Sequence, residues 1–430
     1  MAKIFIYDEF GPEDVAMMQA LYSRSPKSVE EHVEKVRQSG SGKFMSTFYV
    51  GYGHASIADC GSTTIFIEGI SILADKAIQD WPLYSGQETS TRYIDMAKQA
   101  IIDPLNTSAS QDILKKWMDF YIAGQERLKP YLTEKYPINQ GEDEKVYQKA
   151  ISARAFDIMR GFLPAGVTTQ LSWHSNLRQA WDKLALLRHH PLAEVRAIAE
   201  EILNKLREKY ENSFSHALYP EQEAYRAEMT AKYSYFAPAN PPVFSFSHNI
   251  KREELKKYAD TIEKRPLKTN LPYFLGDLGS CDFEFLLDYG SFRDIQRHRS
   301  AIARMPLLTT KLGFQEWYLE QLPAEMRLGA EELITAQKQL IENLSVSEEE
   351  KQYYIAMGFN VACHLHHPLP SAIYVTELRS GKTVHPSLRR IAHKMYHALN
   401  EALPEIKLYC DLDLDDWDVR RGLHDITNKN

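Results

Sequence analysis

Cysteine is scarce in this chain. The 430 residues contain four, Cys60, Cys281, Cys363 and Cys410, far apart and without a C-x-x-C spacing. That excludes a disulfide framework and a zinc ribbon, and it suits a reducing cytoplasm. Long apolar runs are missing too, so no membrane-spanning helix is expected, and MAKIFIYDEF at the start alternates like a strand rather than reading as a signal peptide. There is no basic surplus. Lys and Arg number 51 against 58 Asp and Glu, a net charge of -7, which argues against a nucleic-acid surface and leaves room only for a local anion site. Phosphate loops are absent as well. Ser39 to Phe44 lacks the upstream glycine and has Phe44 where a magnesium-binding hydroxyl is required, and Gly51 to Cys60 lacks the third glycine of a dinucleotide fingerprint. No metal set emerges. The imidazoles of His364, His366 and His367 lack a paired ligand spacing, Lys394 stands where a His393/His397 zinc site needs Glu, and Asp416 stands where a calcium loop needs Gly.

What is present is ordinary globular composition, 44% hydrophobic and 25% charged, over a length that suits two domains. The chain is organised around Ser291 to Arg304, SFRDIQRHRSAIAR, which gathers Arg293, Arg297, His298 and Arg299. On a continuous helix Arg293 and Arg297 share a face, and like charges at that spacing repel. Either Asp294 and Glu284 compensate them in a structural network, or an anion such as phosphate does, gripped by guanidinium forks.

An internal repeat frames this segment. Thr63 to Glu68 reads as a strand, followed by Gly69 and a helical period from Ile70 to Ile78; Cys281 to Asp288 alternates in the same way, followed by Gly290 and a helical run into Arg297. Superposing Ile78-Gln79 on Ile295-Gln296 sets Asp80-Trp81-Pro82 opposite Arg297-His298-Arg299. A second echo pairs Leu187-Arg188 and Val195 to Ala199 with Leu378-Arg379 and Leu388 to Ala392. Between the copies, YFAPANPPV at Tyr235 to Val243 disfavours helix. Two repeats are therefore expected, residues 1–236 and 237–430, with a boundary near Ala237. Helices are expected over Glu13 to Tyr22, Val29 to Val36 and Leu192 to Tyr210, a strand over Lys3 to Tyr7 and a loop over Asn139 to Glu144.

These residues resemble the flavin-dependent thymidylate synthase family, whose signature is Arg-His-Arg, seven residues, then Ser-x-Arg. The signature is split here. The second copy has Arg297-His298-Arg299, with Leu307 and Thr309 where Ser and Arg belong. The first has Gln87-Glu88 and Ser90-Thr91-Arg92-Tyr93, with Asp80-Trp81-Pro82 in the Arg-His-Arg slot. Gly53-His54-Ala55-Ser56, Leu163-Pro164 and Trp173 to Arg178 are similar to further family segments, and Arg188 and Arg379 to its following Leu-Arg.

The resemblance implies an α+β fold, each repeat an antiparallel sheet with flanking helices, and a family homotetramer that a tandem chain would imitate as a homodimer. It implies that Arg297, His298, Arg299, His54, Ser56, Asn176 and Arg178 face FAD, and that Gln87, Ser90, Arg92, Arg188 and Arg379 hold dUMP, with Glu88, Ser90 and Arg92 as the catalytic set. The chemistry implied is methylation of dUMP at C5 with methylenetetrahydrofolate, reduced flavin and NADPH, without a cysteine nucleophile. A non-catalytic flavin- or nucleotide-binding paralogue, or a flavin enzyme acting on another pyrimidine nucleotide, fits the split signature as well.

Overall fold

The computed structural model describes residues 9–23, 25, 28–89 and 96–420. The expected strand at Lys3 to Tyr7 lies outside them. The protein is α+β, with two sheets. The first has the order β1-β3-β2, from β1 (Ser62–Ser71), β2 (Ser85–Glu88) and β3 (Thr168–Asn176). The second has the order β4-β5-β7-β6, from β4 (Phe244–His248), β5 (Ser280–Asp288), β6 (Ile302–Ala303) and β7 (Asn360–Pro368). In β5 the alternation seen in the sequence is the pleat itself: Cys281, Phe283, Phe285 and Leu287 are buried, while Asp282, Glu284 and Leu286 are half-buried. It pairs antiparallel with β7 along its whole length, Cys281 opposite His367 and Asp288 opposite Asn360.

Helices form where apolar spacing and caps agree. Pro12–Tyr22 opens on Pro at its first turn, and Val29–Ser39 is capped by Ser28, whose side chain accepts from Glu30 N. Together they bury Met17, Met18, Val33 and Val36. The expected Leu192 to Tyr210 helix is Ala193–Lys209, and Asn139 to Asp143 is irregular, as expected of a loop.

One expectation is corrected. The helix beginning at Tyr289 ends at Ile295, so Arg293 and Arg297 do not share a helical face. Arg299 Nη1 donates to Gln296 O at 2.8 Å and caps the terminus, where a cation is favoured. Arg293 is thereby buried, while the Arg297 side chain stays 48% exposed.

The chain divides into two compact units, residues 1–69, 77–88 and 170–234, and residues 70–76, 89–169 and 235–430. These units cut across the two sequence halves. In the second unit the segments after the 3-10 turns Arg160–Phe162 and Gln352–Tyr354 meet at an antiparallel bridge, Pro164 opposite Ala356. The flanking bonds are reciprocal. Gly166 N donates to Tyr353 O and Gly358 N to Gly161 O; Ala165 N donates to Ile355 O and Met357 N to Leu163 O. Only glycine fits at either crossing, because a Cβ on Gly166 would lie 2.8 Å from two carbonyl oxygens and one on Gly358 would lie 2.3 Å from the Phe314 ring. Each turn leads into a strand of 9 residues, β3 or β7, and then into two helices, of which the second has 17 residues in both cases.

Candidate functional site

The second unit holds the site, and it is built up from Asp288. As N-cap of the helix Tyr289–Ile295, Asp288 accepts at Oδ2 from Ser291 N at 2.9 Å and from Tyr318 OH at 2.7 Å, and at Oδ1 from Ser387 Oγ at 2.6 Å. Arg160 Nη2 donates to Ser291 Oγ at 2.8 Å, and His385 Nδ1 lies 2.8 Å from Ser387 Oγ. Asp288, Ser387 and His385 have the residue types of a nucleophile trio, but Asp288 is 0% exposed and the other two 2%, so they anchor the helix and do not meet a substrate.

The far end of that helix carries the cations. Arg379, from the helix Leu369–Ser380, donates through Nε to His298 Nε2 at 2.8 Å and through Nη2 to Asp294 O at 2.5 Å. Because Arg379 can only donate, His298 accepts at Nε2 and its proton sits on Nδ1. Burial, reinforced by the Arg379 charge, pushes the His298 pKa down to about 3, so the ring is a neutral donor at physiological pH. Burial alone would raise the Asp294 carboxyl, but Arg160, Arg297, Arg379 and Arg293 outweigh it and hold it below the usual range. Arg297 Nε stands 4.0 Å from Asp294 Oδ1.

Behind these lies a fully buried pair, Lys76 Nζ and Asp75 Oδ2, 3.3 Å apart, and Gln296 Nε2 donates to Lys76 O at 3.2 Å. Burial lowers the Lys76 pKa to about 7; Asp75 opposes that shift, and Arg293 and Arg297 add to it. What faces outward is Arg297, the imidazole of His298 and the ring of Tyr374, 40% exposed, with its centroid 6.0 Å from that of His298. Guanidinium, neutral N–H donor and aromatic surface together suit a flat anionic group, and the flavin expected from the sequence fits that donor set.

The other expected site residues belong to the first unit or lie outside the described residues. Ser90 and Arg92 lie outside the described residues. In the first unit Glu88 Oε2 accepts from Gln79 Nε2 at 3.0 Å, and Gln87 N donates to Ser172 Oγ at 3.2 Å. Asn176 caps the helix Leu177–Leu187 by accepting from Gln179 N at 2.8 Å, and Arg178 is held by Asp59 at 2.7 Å. Arg188 pairs with Glu200 at 2.6 Å and Glu223 at 3.1 Å. His54 and Ser56 are exposed. Of the expected set, the structure therefore gathers Arg297, His298, Arg299 and Arg379. It adds Arg160 and Lys76, which motif reading did not single out. For Lys76 a signal existed, because the superposition of Ile78-Gln79 on Ile295-Gln296 sets Lys76 opposite Arg293.

The Arg297 turn is thus an arginine-lined corner on an α+β scaffold. Residues 7–211 of this chain are similar to the family described as thymidylate synthase complementing protein. The chain's curated relatives run across both halves. A UPF0159 protein of Chlamydia pneumoniae is 25% identical over 84% of this chain and 80% of its own length. One from Chlamydia muridarum is 26% identical over 86% and 81%, and UPF0159 protein Ta1429 of Thermoplasma acidophilum 23% identical over 91% and 94%. Among the described residues no helix is long and apolar enough to cross a membrane.

Proposed function

We propose that this protein is a flavin-dependent thymidylate synthase or a close relative, methylating dUMP at C5 with methylenetetrahydrofolate as donor. The observation that carries this reading is the turn after Ile295, where a half-exposed Arg297, a neutral His298 and Arg379 present cationic and N–H donors beside an aromatic ring. FAD, when bound, supplies the reducing equivalents that turn a transferred methylene into a methyl group, and NADPH restores them. The chain's own part is positioning and electrostatics. Arg297 and Arg299 grip phosphate oxygens. Arg379 fixes the tautomer and orientation of His298, so that Nδ1–H points its proton at an acceptor on the cofactor. The Ser90-x-Arg92 segment, with Gln87 and Glu88, holds the nucleotide. No thiolate step is required, and burial pushes the Cys281 thiol up to about 12.

The reading includes two diverged copies, 1–236 and 237–430, that complete one another's split signature in a cytoplasmic homodimer imitating a tetramer. The reciprocal bonding about Pro164 and Ala356 supports it, because a two-fold contact between like subunits has that form. A second reading, a non-catalytic binding paralogue, is favoured by the degree to which Asp294 already compensates the guanidiniums.

The purified protein should be yellow and release FAD on denaturation, and NADPH should reduce the bound flavin faster when dUMP is present. A colourless protein without dTMP formation would overturn the enzyme reading. Flavin retention without turnover would select the paralogue.

A further inference from the structure

A cavity of about 250 Å³ lies in the second unit, away from the Arg297 turn, with Lys135, Arg154, Arg389, Trp317 and Asp416 among its walls. One wall is a strap, residues 411–418. Asp411, Asp413 and Asp415 each accept from the backbone N–H two residues on, those of Asp413, Asp415 and Trp417, at 3.0 to 3.1 Å, which sets the course of the chain, and Asp413 Oδ2 also pairs with Lys382 at 2.9 Å. Trp417 stacks on Tyr136 with centroids 4.5 Å apart. Held from both sides, Asp416 turns inward onto Arg154, and the two side chains are only 9% and 4% exposed.

That ion pair is incomplete. Arg154 Nη2 donates to Asp416 Oδ1, but Arg154 Nε and Asp416 Oδ2 are buried and have no hydrogen-bond partner among the described residues. An unmade donor and an unmade acceptor thus belong to two residues that line the same cavity, in a setting where buried polar atoms are nearly always paired. A ligand that satisfies both must present an acceptor next to a donor. Negative charge on it suits Lys135 and Arg154, since Arg390 is already paired with Glu320 at 2.9 Å and Arg389 already donates to Ser380 O and Asp413 O.

We propose that this cavity binds a protonated oxyanion of the phosphate class, free or as the end of a monoester. One phosphate oxygen accepts from Arg154 Nε, the P–OH donates to Asp416 Oδ2, and Lys135 offsets the remaining charge. The site is separate from the proposed flavin site and does not depend on it. Sulfate has the same shape but no proton at neutral pH, so two lone pairs would face Asp416. A site built around a hydrogen-bonding OH discriminates strongly against an analogue that lacks it.

The test is calorimetric titration of the full chain at constant ionic strength and about pH 6, where a phosphate monoanion or its monoester keeps a proton. The probes are inorganic phosphate, glycerol phosphate and sulfate. Phosphate should bind at least about tenfold more tightly than sulfate, the loss expected from one charge-assisted hydrogen bond. Asp416→Asn, which replaces the acceptor by a donor, should bring sulfate to within about threefold of phosphate. Lys135→Gln, at an exposed position, should weaken phosphate about tenfold. Glycerol phosphate binding more tightly than phosphate assigns the site to an ester, and the reverse order to the free ion. Equal affinity for phosphate and sulfate in the unmodified chain, or no binding of either at about 10 mM, overturns the proposal. That comparison needs no variant, so a misfolded Asp416→Asn protein would not blunt it.

Discussion

Two turns in this molecule use the same kind of contact with different chemistry. After Gln79 the turn is Asp80-Trp81-Pro82, and Lys183 donates to Asp80 O at 2.8 Å, with its ammonium 5.8 Å from the Trp81 ring. After Ile295 the turn is Gln296-Arg297-His298, and Arg379 donates to Asp294 O and to His298. In both, a cation from the helix that follows a sheet strand, β3 or β7, secures a chain reversal. In the first turn that contact meets a carbonyl and an indole face and brings no arginine to the corner, while the Trp81 Nε1–H is buried without a hydrogen-bond partner among the described residues. The second draws further cations around Asp294 and leaves Arg297 half-exposed. Divergence in three residues thus separates a structural corner from a candidate binding corner.

Removing the two cations sharpens that contrast most. Arg379→Met strands the buried Nε2 of His298 and a backbone carbonyl together, and should lower unfolding stability in urea by about 3 kcal/mol. Lys183→Met strands one carbonyl and should lower it by about 1 kcal/mol. Equal losses would break the comparison. Between these in size fall Gly166→Ala and Gly358→Ala, each expected to lower stability by about 2 kcal/mol by forcing apart the crossing at Pro164 and Ala356. Similar values at the two glycines would support the equivalence of the copies.

Acid titration tests the buried imidazoles. Burial, reinforced by Lys183, pushes His190 down to about 3, as burial and Arg379 do for His298. A histidine with a depressed folded pKa takes up its proton first in the unfolded chain. Its contribution to stability is whole above about pH 6.5 and is lost as pH falls from there toward the folded value. His298→Gln should therefore flatten the stability profile between about pH 6.5 and 3 by as much as about 1.4 kcal/mol per pH unit, and His190→Gln likewise. Lys76 acts at the other end. With its folded pKa lowered to about 7, stability rises from there toward about pH 10.4, and Lys76→Met should remove that slope.

The smallest effect on stability belongs to the residue with the largest expected effect on function. Arg297→Ala should change unfolding stability by no more than about 0.5 kcal/mol, because its side chain is half in water and Asp294 is 4.0 Å away. It should nevertheless reduce flavin retention about tenfold or more. Pairing it with Arg92→Ala tests the joint use of the copies. Each variant alone should lose thymidylate formation, and subunit exchange between them should restore part of it if sites are made between chains and none if they are made within one. An isolated half that folds, binds FAD and turns over dUMP at the full rate would refute the shared site.

Local pattern determined much of this protein by itself. The alternation of Cys281 to Leu287, the cap at Ser28 and the proline-rich stretch after Tyr235 act over a few residues, so their outcomes are written in the neighbouring side chains. The Arg297-His298-Arg299 cluster and its demand for compensation were legible for the same reason. Which groups answer that demand was not. Arg379 lies 81 residues from His298, and Lys76 lies 220 residues from Gln296, so only the packing of β5 against β7 and of the buried helices could bring them to one corner. Burial decided the rest. It made His298 a neutral donor and turned Asp288, Ser387 and His385 into an anchor, because the dielectric around a side chain is a property of everything folded over it and of nothing beside it in the chain.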